Sequence, residues 1–330
     1  MTIQFSDRKK SAAVAAAMFL LGASMAPAQQ NQAGGIETLE IAPNFYMIAG
    51  AGANIAVQVG PDGVVLVNAG AADVSDKVIA AVKKVTPQPI RYIIDTAADP
   101  DAVGGNGAVS KAGYSLAQNR NTGAGGTNHI PAIIIATENV LNRMSAPSGK
   151  QGAYPEDDWP AETFSQKEKP IYLNHEGIQI LAQPAAHTDG DVMVYFRRSD
   201  VLVTGDIMDT TRFPVIDIEK GGSIQGEIDA LNRIVEIAIQ SIPLVWQDGG
   251  TTVIPGHGRI CDQADVVEYR DMVTIIRDVV QDMITRGMTL EQIKKADPTS
   301  RYRKRYGADT GPWTTDMFVE AIYKSLTAKK

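Results

Sequence analysis

Cysteine is almost absent from this 330-residue chain, which contains it once, at position 261. A single cysteine cannot form an intramolecular disulfide, so the folded chain must be stabilised by packing rather than by cross-links. We expect Cys261 to be a small buried apolar residue. Basic residues are in the minority, with 31 Lys and Arg against 38 Asp and Glu and a net charge of −7. Such an acidic chain disfavours nucleic acid and anionic membranes as partners.

Long hydrophobic runs are also missing, apart from one near the start of the chain. A basic segment at residues 8–10 precedes an apolar run over residues 12–22, and an Ala-Pro-Ala sequence ends at Ala28. This pattern is typical of a secretory signal peptide on residues 1–28. The run is shorter than the ~20 residues that a membrane span needs. We therefore expect a periplasmic or secreted protein with no membrane span after cleavage, which would remove three basic residues and one acidic residue and take the net charge to −9.

The rest of the chain alternates short β-rich runs with helical patterns. Strands are predicted at residues 45–48, 55–59, 64–67, 91–94, 113–117, 132–136, 178–182, 192–196, 201–203 and 252–254. Helices are predicted at residues 73–85, 225–240 and 264–286. The last of these carries an apolar stripe of Val267, Ile275, Ile276, Val279 and Met283. A further helix is predicted after a capping box at Thr289 and Gln292, and a final one from residue 314 or 315. Residues 145–169 are predicted to form a long surface loop. Two β-rich halves, each followed by helices, predict an α/β fold of two packed sheets with helices outside.

Polar residues follow four of the predicted strands. The segment 95–106 follows Ile94, while His187, Asp206 and His257 each come shortly after a later strand. Metal-dependent hydrolysis needs ligands that the rigid ends of strands hold in place, with a coordination position left open for water. The sequence therefore predicts a metal-type site where these strands end.

These motifs resemble those of the metallo-β-lactamase superfamily. The family's first loop has the pattern Thr-His-x-His-x-Asp-His-x-Gly-Gly-Asn, and this chain keeps Thr96, Asp101, Gly104, Gly105 and Asn106 in register. The three histidine positions instead hold Ala97, Asp99 and Ala102. The resemblance implies an αββα sandwich of two mixed β-sheets with helices on both outer faces. It implies a domain over residues 29–262, on which C-terminal helices of residues 263–330 pack.

The resemblance also implies which ligands survive. The family's first zinc ion would use positions 97 and 99 with His187, so only His187 is intact, although Asp99 offers an oxygen. The second would use Asp101, position 102, Asp206 and His257, so three of its four ligands remain. A dinuclear zinc centre is not expected, because alanine has no donor atom. The retained metal ligands are Asp101, His187, Asp206 and His257, a set that suits one zinc, manganese or ferrous ion.

An alternative stays open, in which no metal binds and these side chains hydrogen-bond the turns around them. The two other histidines, His129 and His175, match no motif and are expected in loops. Asp189 and Asp191 follow His187 in the chain, and we expect them to brace the His187 loop through backbone hydrogen bonds. Asp209 and Arg212 are expected to form an ion pair.

Three functions are compatible with these residues. The first is an exported hydrolase in which one metal ion activates water against an ester, amide or lactam. Its candidate catalytic residues are Asp99, Asp101 and His187, and the loops 119–130 and 145–169 would shape a cleft for a small-molecule substrate. The second is a catalytically inactive periplasmic binding or accessory protein, which the loss of donors at Ala97 and Ala102 favours. The third is metal-free acid–base catalysis by the same Asp and His residues.

Overall fold

The computed structural model describes residues 35–116, 130–147, 152–241 and 249–328. The predicted signal peptide, most of the loop 119–130 and His129 lie outside the described residues. Gly35–Lys330 forms one compact unit. None of the helices in the described ranges is long and apolar enough to cross a membrane.

The first sheet contains seven strands in chain order. They are β1 (Glu37–Ala42), β2 (Phe45–Ala49), β3 (Ile55–Gly60), β4 (Gly63–Val67), β5 (Ile90–Ile94), β6 (Ile133–Thr137) and β7 (Glu162–Phe164). Strands β1 to β4 pair antiparallel, and β4 to β7 pair parallel. The sheet is therefore mixed, and the parallel strands β4, β5 and β6 all end at the same edge.

The second sheet contains five strands, in the order β12-β11-β10-β9-β8. They are β8 (Glu168–Leu173), β9 (Glu176–Ala182), β10 (Val192–Phe196), β11 (Val201–Asp209) and β12 (Thr252–His257). Only β11 and β12 pair parallel, and the other neighbours pair antiparallel. The carboxyl ends of β11 and β12 consequently share one edge as well.

The two sheets pack face to face around an apolar layer. Phe45 of the first sheet and Phe196 of the second are both fully buried, and their rings meet edge to face with centroids 4.8 Å apart. Such a pair contributes about 0.5–1.5 kcal/mol beyond the area that it buries. Ile178 and Ile180 of β9 are buried in this layer and Ala182 is partly buried against it, whereas Leu181 packs in the cluster under the helices, so the two faces of the strand point to different layers.

Helices cover the outer face of each sheet. They are α1 (Ser75–Val85), α2 (Pro100–Val103), α3 (Asn106–Ala112), α4 (Glu138–Met144), α5 (Ile224–Ile237), α6 (Gln263–Thr285), α7 (Leu290–Ala296), α8 (Arg303–Tyr306) and α9 (Thr315–Thr327). Helices α1 and α3 bury Val78, Val82 and Val109 against the first sheet. Helices α5, α6, α7 and α9 pack on the second sheet, where Phe318 of α9 stacks on Phe213 with ring centroids 4.9 Å apart. The α/β fold predicted as an αββα sandwich with C-terminal helices is confirmed.

Three local predictions are wrong. Residues 113–116 form no strand, because Gly113 ends α3 and its neighbours make single backbone hydrogen bonds to Ile90 and Ile130 instead of a ladder. The segment 145–169 is not a plain surface loop, since it contains β7, whose edge pairing with β6 buries Phe164. On α6 the buried stripe runs through Val266, Tyr269, Met272, Val273, Ile276 and Val280, so Ile275 is exposed.

Backbone hydrogen bonds join the two sheets at the edge where β5, β11 and β12 end. Val192 N–H donates to the Thr96 carbonyl over 2.9 Å, and Asn54 N–H donates to the Gly256 carbonyl over 2.8 Å. Each bond links a segment next to the first sheet with a strand of the second. The polar residues predicted to form a site lie along this joined edge.

Candidate metal centre

The loop after β5 carries two of the carboxylates. Asp99 immediately precedes the short helix α2, and Asp101 lies in its first turn, after Pro100 at the first helical position. Proline suits that position, because its fixed φ matches a helix and its missing N–H would be unpaired there anyway. The Asp101 carbonyl accepts from Ala53 N–H over 3.0 Å. The loop backbone is thus held against the turn before β3, and this placement orients both carboxylates.

The two ends of this loop meet through buried side chains. Asn106 Nδ2 donates to Asp95 Oδ2 over 2.8 Å, and both residues are fully buried. Asp95 Oδ1 and Asn106 Oδ1 have no hydrogen-bond partner among the described residues. Burial raises the pKa of Asp95 well above its ordinary value, more than its bond to Asn106 lowers it. The bond between Asp95 and Asn106 therefore closes the base of the loop, a role that no sequence motif indicated.

His187 is held from behind by a backbone carbonyl. Its Nδ1 lies 2.7 Å from the Val215 carbonyl oxygen. A carbonyl only accepts hydrogen bonds, so Nδ1 carries the hydrogen, and Nε2 is the ring nitrogen directed at the site. That nitrogen lies 3.1 Å from Asp99 Oδ2. As predicted, Asp191 braces this loop, accepting from the Thr188 N–H and hydroxyl over 2.7 and 2.6 Å.

Asp206 and His257 come from the neighbouring strands β11 and β12. The pairing register shifts on both sides of Gly205, which has a φ of 54° in the left-handed region. Glycine adopts that conformation without strain, and such an irregularity redirects the next side chain. His257 Nε2 lies 3.3 Å from both Asp206 Oδ1 and Asp101 Oδ2. Asp206 is therefore in contact with a histidine across the strand pair.

One group of side chains meets the distance condition for a metal site. Among the described residues, Asp99, His187 and Asp206 each offer a ligand atom, and these atoms all lie within 4.8 Å of one another. Two ligand atoms that each lie about 2.1 Å from one tetrahedral zinc ion are about 3.4 Å apart. The distances of 3.3 Å from His257 Nε2 to Asp206 Oδ1 and to Asp101 Oδ2 are close to that value. Oxygen and imidazole donors of this kind suit one divalent ion. Asp101 and His257, both predicted as ligands, contact each other but are outside the three-residue group.

The places of the missing family ligands are filled by packing. Ala97 and Ala102 are both buried, and neither side chain has a donor atom. Ala102 packs in an apolar cluster with Ala53, Ala98, Val103, Ala136, Val140 and Met144. Its carbonyl accepts from Ala69 N–H and Gly70 N–H. Among the described residues, neither position therefore offers a side-chain donor to a metal ion.

The charges of the site are strongly coupled. Burial disfavours an ionised Asp99, but the charge and hydrogen bond of His187 and the charge of Lys220 outweigh it and lower the pKa of Asp99 to about 2. Burial also disfavours a charged His187, yet Asp99 raises its pKa well above the ordinary value. The pKa of Asp101 is raised by burial and by the nearby Asp206 charge. Asp101 therefore takes up a proton more readily than Asp99 does.

A second pair of acids is buried behind the His187 loop. Burial raises the pKa of Asp191 to about 7, although His187 and Thr188 oppose the shift. Glu227 of α5 is completely buried, and neither of its carboxylate oxygens has a hydrogen-bond partner among the described residues. Burial, followed by the Asp191 charge, raises the pKa of Glu227 well above its ordinary value of 4.5. The fold therefore favours the protonated form of Glu227.

Glu227→Gln tests this assignment through the pH dependence of stability. The raised pKa of Glu227 stabilises the folded wild type fully below pH ~4.5, and this contribution is lost as the pH rises through the folded pKa. The loss amounts to about 1.4 kcal/mol for each pH unit between the two pKa values. The glutamine variant should lack this loss and be the more stable protein at pH 8, by chemical denaturation. A Glu236→Gln control, on the same helix, should follow the wild type, and equal pH profiles for all three proteins would contradict a neutral Glu227.

Of the other residues with a predicted role, Asp209, Arg212 and His175 lie as predicted and Asp189 does not. Asp209 and Arg212 form the expected ion pair, and His175 is exposed in the turn between β8 and β9. Asp189 differs from its predicted role, because its carboxylate pairs with Arg143. Lys220, 4.0 Å from Asp99 Oδ1, was missed altogether, since it follows no motif and is remote from Asp99 in sequence.

Two cavities lie beside the His187 loop and share Asp189. The larger, of about 290 Å³, is lined by Asn139, Asn142, Arg143, Ala146, Pro147 and Asp189. The smaller, of about 160 Å³, lies between the start of α4 and the segment that joins β7 to β8. The residues that line the two cavities include Asn139 and Asp189 and none of Asp99, His187 and Asp206.

Known structures share the fold. The sec-alkylsulfatase Pisa1 from Pseudomonas sp., described as stereoselective and inverting, has a TM-score of 0.59 at 14% identity over 88% of this chain and 50% of that chain. A double mutant of this sulfatase has a TM-score of 0.60 with the same identity and coverage. A metallo-beta-lactamase from Pontibacter korlensis has a TM-score of 0.54 at 16% identity over 72% of this chain and 99% of that chain.

These likenesses show that the chain has the metallo-β-lactamase fold, as its motifs predicted. The chain spans about half the length of the sulfatase structures that it matches. No protein-family model matches the sequence, and neither does any curated protein.

Proposed function

We propose that the chain is a hydrolase that binds one divalent metal ion at the candidate metal centre and cleaves an ester, amide or lactam in a small molecule. The observation that carries the proposal is the meeting of Asp99, His187 and Asp206, whose ligand atoms lie within 4.8 Å of one another. Three separate segments supply these residues, namely the loop after β5, the loop after β9 and strand β11. A site that needs three segments of two sheets depends on the whole fold.

The chain's own residues divide into a binding set and a reacting set. Asp99, His187 and Asp206 would hold the ion, and zinc, manganese and ferrous iron all accept such a mixture of oxygen and nitrogen donors. When bound, the ion would lower the pKa of water and polarise the substrate's reacting oxygen. His257 contacts both Asp206 and Asp101, so it links the two sets.

Asp101 is the best placed proton acceptor. Its side chain is 41% exposed, against 22% for Asp99 and 12% for Asp206, so it is the carboxylate most open to an entering water or substrate. Burial and the Asp206 charge raise its pKa, and a raised pKa makes a carboxylate a stronger base. His257, 3.3 Å away, would hold the Asp101 carboxylate in place and stabilise its negative charge. The proton of the attacking water would pass to Asp101 Oδ1 or Oδ2.

The substrate class follows from the fold likeness and from the composition. The similar structures are a sulfatase and a lactamase by name, which supports a hydrolysable small molecule with an oxygen that carries developing negative charge. The acidic chain does not favour nucleic acid. For residues 1–28, the proposal is export to the periplasm or outside the cell, and it is supported by the sequence pattern alone.

Metal analysis combined with a chelator assay tests the proposed function. The purified chain is equilibrated with zinc, manganese or ferrous ions, freed of excess metal, and analysed by plasma mass spectrometry. We expect about one ion per chain with at least one of the three metals. Turnover of a panel of a p-nitrophenyl ester, a chromogenic lactam and an alkyl sulfate should disappear with chelator and return with metal.

Other outcomes would replace this proposal. No bound metal and no turnover would favour the binding-protein alternative, for which the pairing of Asp99 with His187 and Lys220 supplies the structural basis. Turnover that chelator does not change would instead favour metal-free acid–base catalysis by the Asp and His residues.

A further inference from the structure

Lys220 places a positive charge beside the candidate metal centre. Its Nζ lies 4.0 Å from Asp99 Oδ1 and 3.3 Å from Asp217 Oδ2, and its side chain is 20% exposed. The other oxygen of Asp99 lies 3.1 Å from His187 Nε2. Each oxygen of Asp99 therefore faces a different nitrogen, one from a histidine and one from a lysine.

The backbone around Lys220 is held firmly to the site. Its carbonyl accepts from Asp189 N–H over 2.9 Å and from an Arg143 Nη2 over 2.7 Å. In addition, the Lys220 N–H donates to the Asp217 side chain over 3.1 Å, and Asp217 N–H donates to the His187 carbonyl over 2.9 Å. The lysine thus belongs to the same hydrogen-bonded unit as the His187 loop. Its ammonium group can turn toward or away from Asp99 while its Cα stays in place.

The identity of residue 99 explains why a lysine can pair there. A neutral histidine at that position would attract no ammonium group, whereas Asp99 carries a full negative charge. A divalent ion that binds Asp99 Oδ1 would lie about 2 Å from that oxygen and therefore within about 6 Å of Nζ if the lysine did not move. Two like charges at that separation repel strongly in a partly buried site. Lys220 and a divalent ion consequently compete for Asp99.

We propose that Lys220 is a tethered counter-ion of Asp99 that weakens divalent-ion binding at Asp99, His187 and Asp206. The site would then exist in two states, one in which Lys220 pairs with Asp99 and one in which Lys220 pairs with Asp217 alone and the ion is bound. This inference rests on the proposed function, since it concerns the affinity of the same metal site. In this proposal Lys220 controls the affinity of the site for the metal ion and does not react with the substrate.

Zinc titration of the full chain against a competing chromophoric chelator tests the proposal. Lys220→Met removes the charge and keeps an unbranched side chain, so we expect zinc to bind at least tenfold more tightly than in the wild type. Lys220→Arg keeps the charge and should retain an affinity within threefold of the wild type. Lys84→Met removes an exposed lysine of α1 that is remote from Lys220 in the sequence. It is the matched control, and its zinc affinity should equal that of the wild type.

The outcomes separate the inference from the function beneath it. Equal zinc affinities for Lys220→Met, Lys84→Met and the wild type would overturn the role of Lys220, as would weaker binding by Lys220→Met. Zinc binding by Lys220→Met alone would support the inference and refute a metal-loaded wild type. An absence of zinc binding in every protein would overturn both. Melting curves show whether each variant folds, and Lys220→Gln replaces the methionine variant if that one does not.

Discussion

Asp206→Asn is expected to weaken divalent-ion binding at least a hundredfold and to lower hydrolysis by at least the same factor. Asp206 belongs to the three-residue ligand group and also contacts His257, so it connects both parts of the site. Asparagine preserves the shape of the side chain but removes the charge that attracts a cation. A hundredfold weaker affinity corresponds to about 2.7 kcal/mol, a reasonable loss for one charged ligand. Zinc titration and the chelator-sensitive assay measure the two effects.

The matched control for this variant is Asp229→Asn. Asp229 is exposed on α5 and accepts a hydrogen bond from Gln225 of its own helix, so the same chemical change there should leave metal affinity and turnover unchanged. Circular dichroism should show both variants folded. If Asp206→Asn binds zinc as tightly as Asp229→Asn, Asp206 is not a ligand and the three-residue group is not the metal site.

Gly226→Ala is expected to lower the free energy of unfolding by about 3 kcal/mol. An added Cβ at Gly226 would lie 1.8 Å from the Ala185 carbonyl oxygen, far inside van der Waals contact. The backbone there cannot easily yield, because the Ser223 N–H and hydroxyl both donate to that same carbonyl over 2.9 Å. Helix α5 and the His187 loop would have to separate. Because Ala185 is two residues from His187, zinc affinity should fall at least tenfold as well.

Gly177→Ala provides the matched control for this steric effect. A Cβ at Gly177 would approach no atom more closely than the Tyr172 ring at 3.5 Å, an ordinary contact. That variant should unfold within about 1 kcal/mol of the wild type and bind zinc normally. Denaturant unfolding of both variants decides the matter. Equal stabilities would show that α5 and the His187 loop can move apart without cost.

The strand framework and the order of the site segments could be predicted from the sequence, because both follow from local patterns. Buried strands such as β5 and β11 are short apolar runs, and the polar residues after them lie near their carboxyl ends whatever the rest of the chain does. The short helices α2 and α3 were not predicted. They are too short to show a helical period, and they form because the loop is tied at both ends by Asp95 and Asn106.

The parts of the site that could not be predicted depend on tertiary contacts. Glu227 occupies one position of an amphipathic helix, and its burial with no hydrogen-bond partner among the described residues follows only from the tertiary packing of α5. Lys220 lies 121 residues after Asp99, so no local pattern relates them. For α6 the period was correct and its phase was displaced, because Val267 and Ile275 are as apolar as the residues that are actually buried.

The main-chain hydrogen bonds that join the two sheets beside Asp206 have a consequence for redesign. Thr96 and Gly256 accept these bonds through carbonyl oxygens, which every amino acid possesses. Changes of side chain at positions 97 and 99 therefore remove no acceptor from these bonds. Ala97 and Ala102 are both buried, however, and Ala102 fills part of an apolar cluster, so a larger polar side chain at either position needs repacked neighbours. An engineer who wishes to install a second metal ion would keep this main chain and would have to repack the side chains around positions 97 and 102 before placing histidines there.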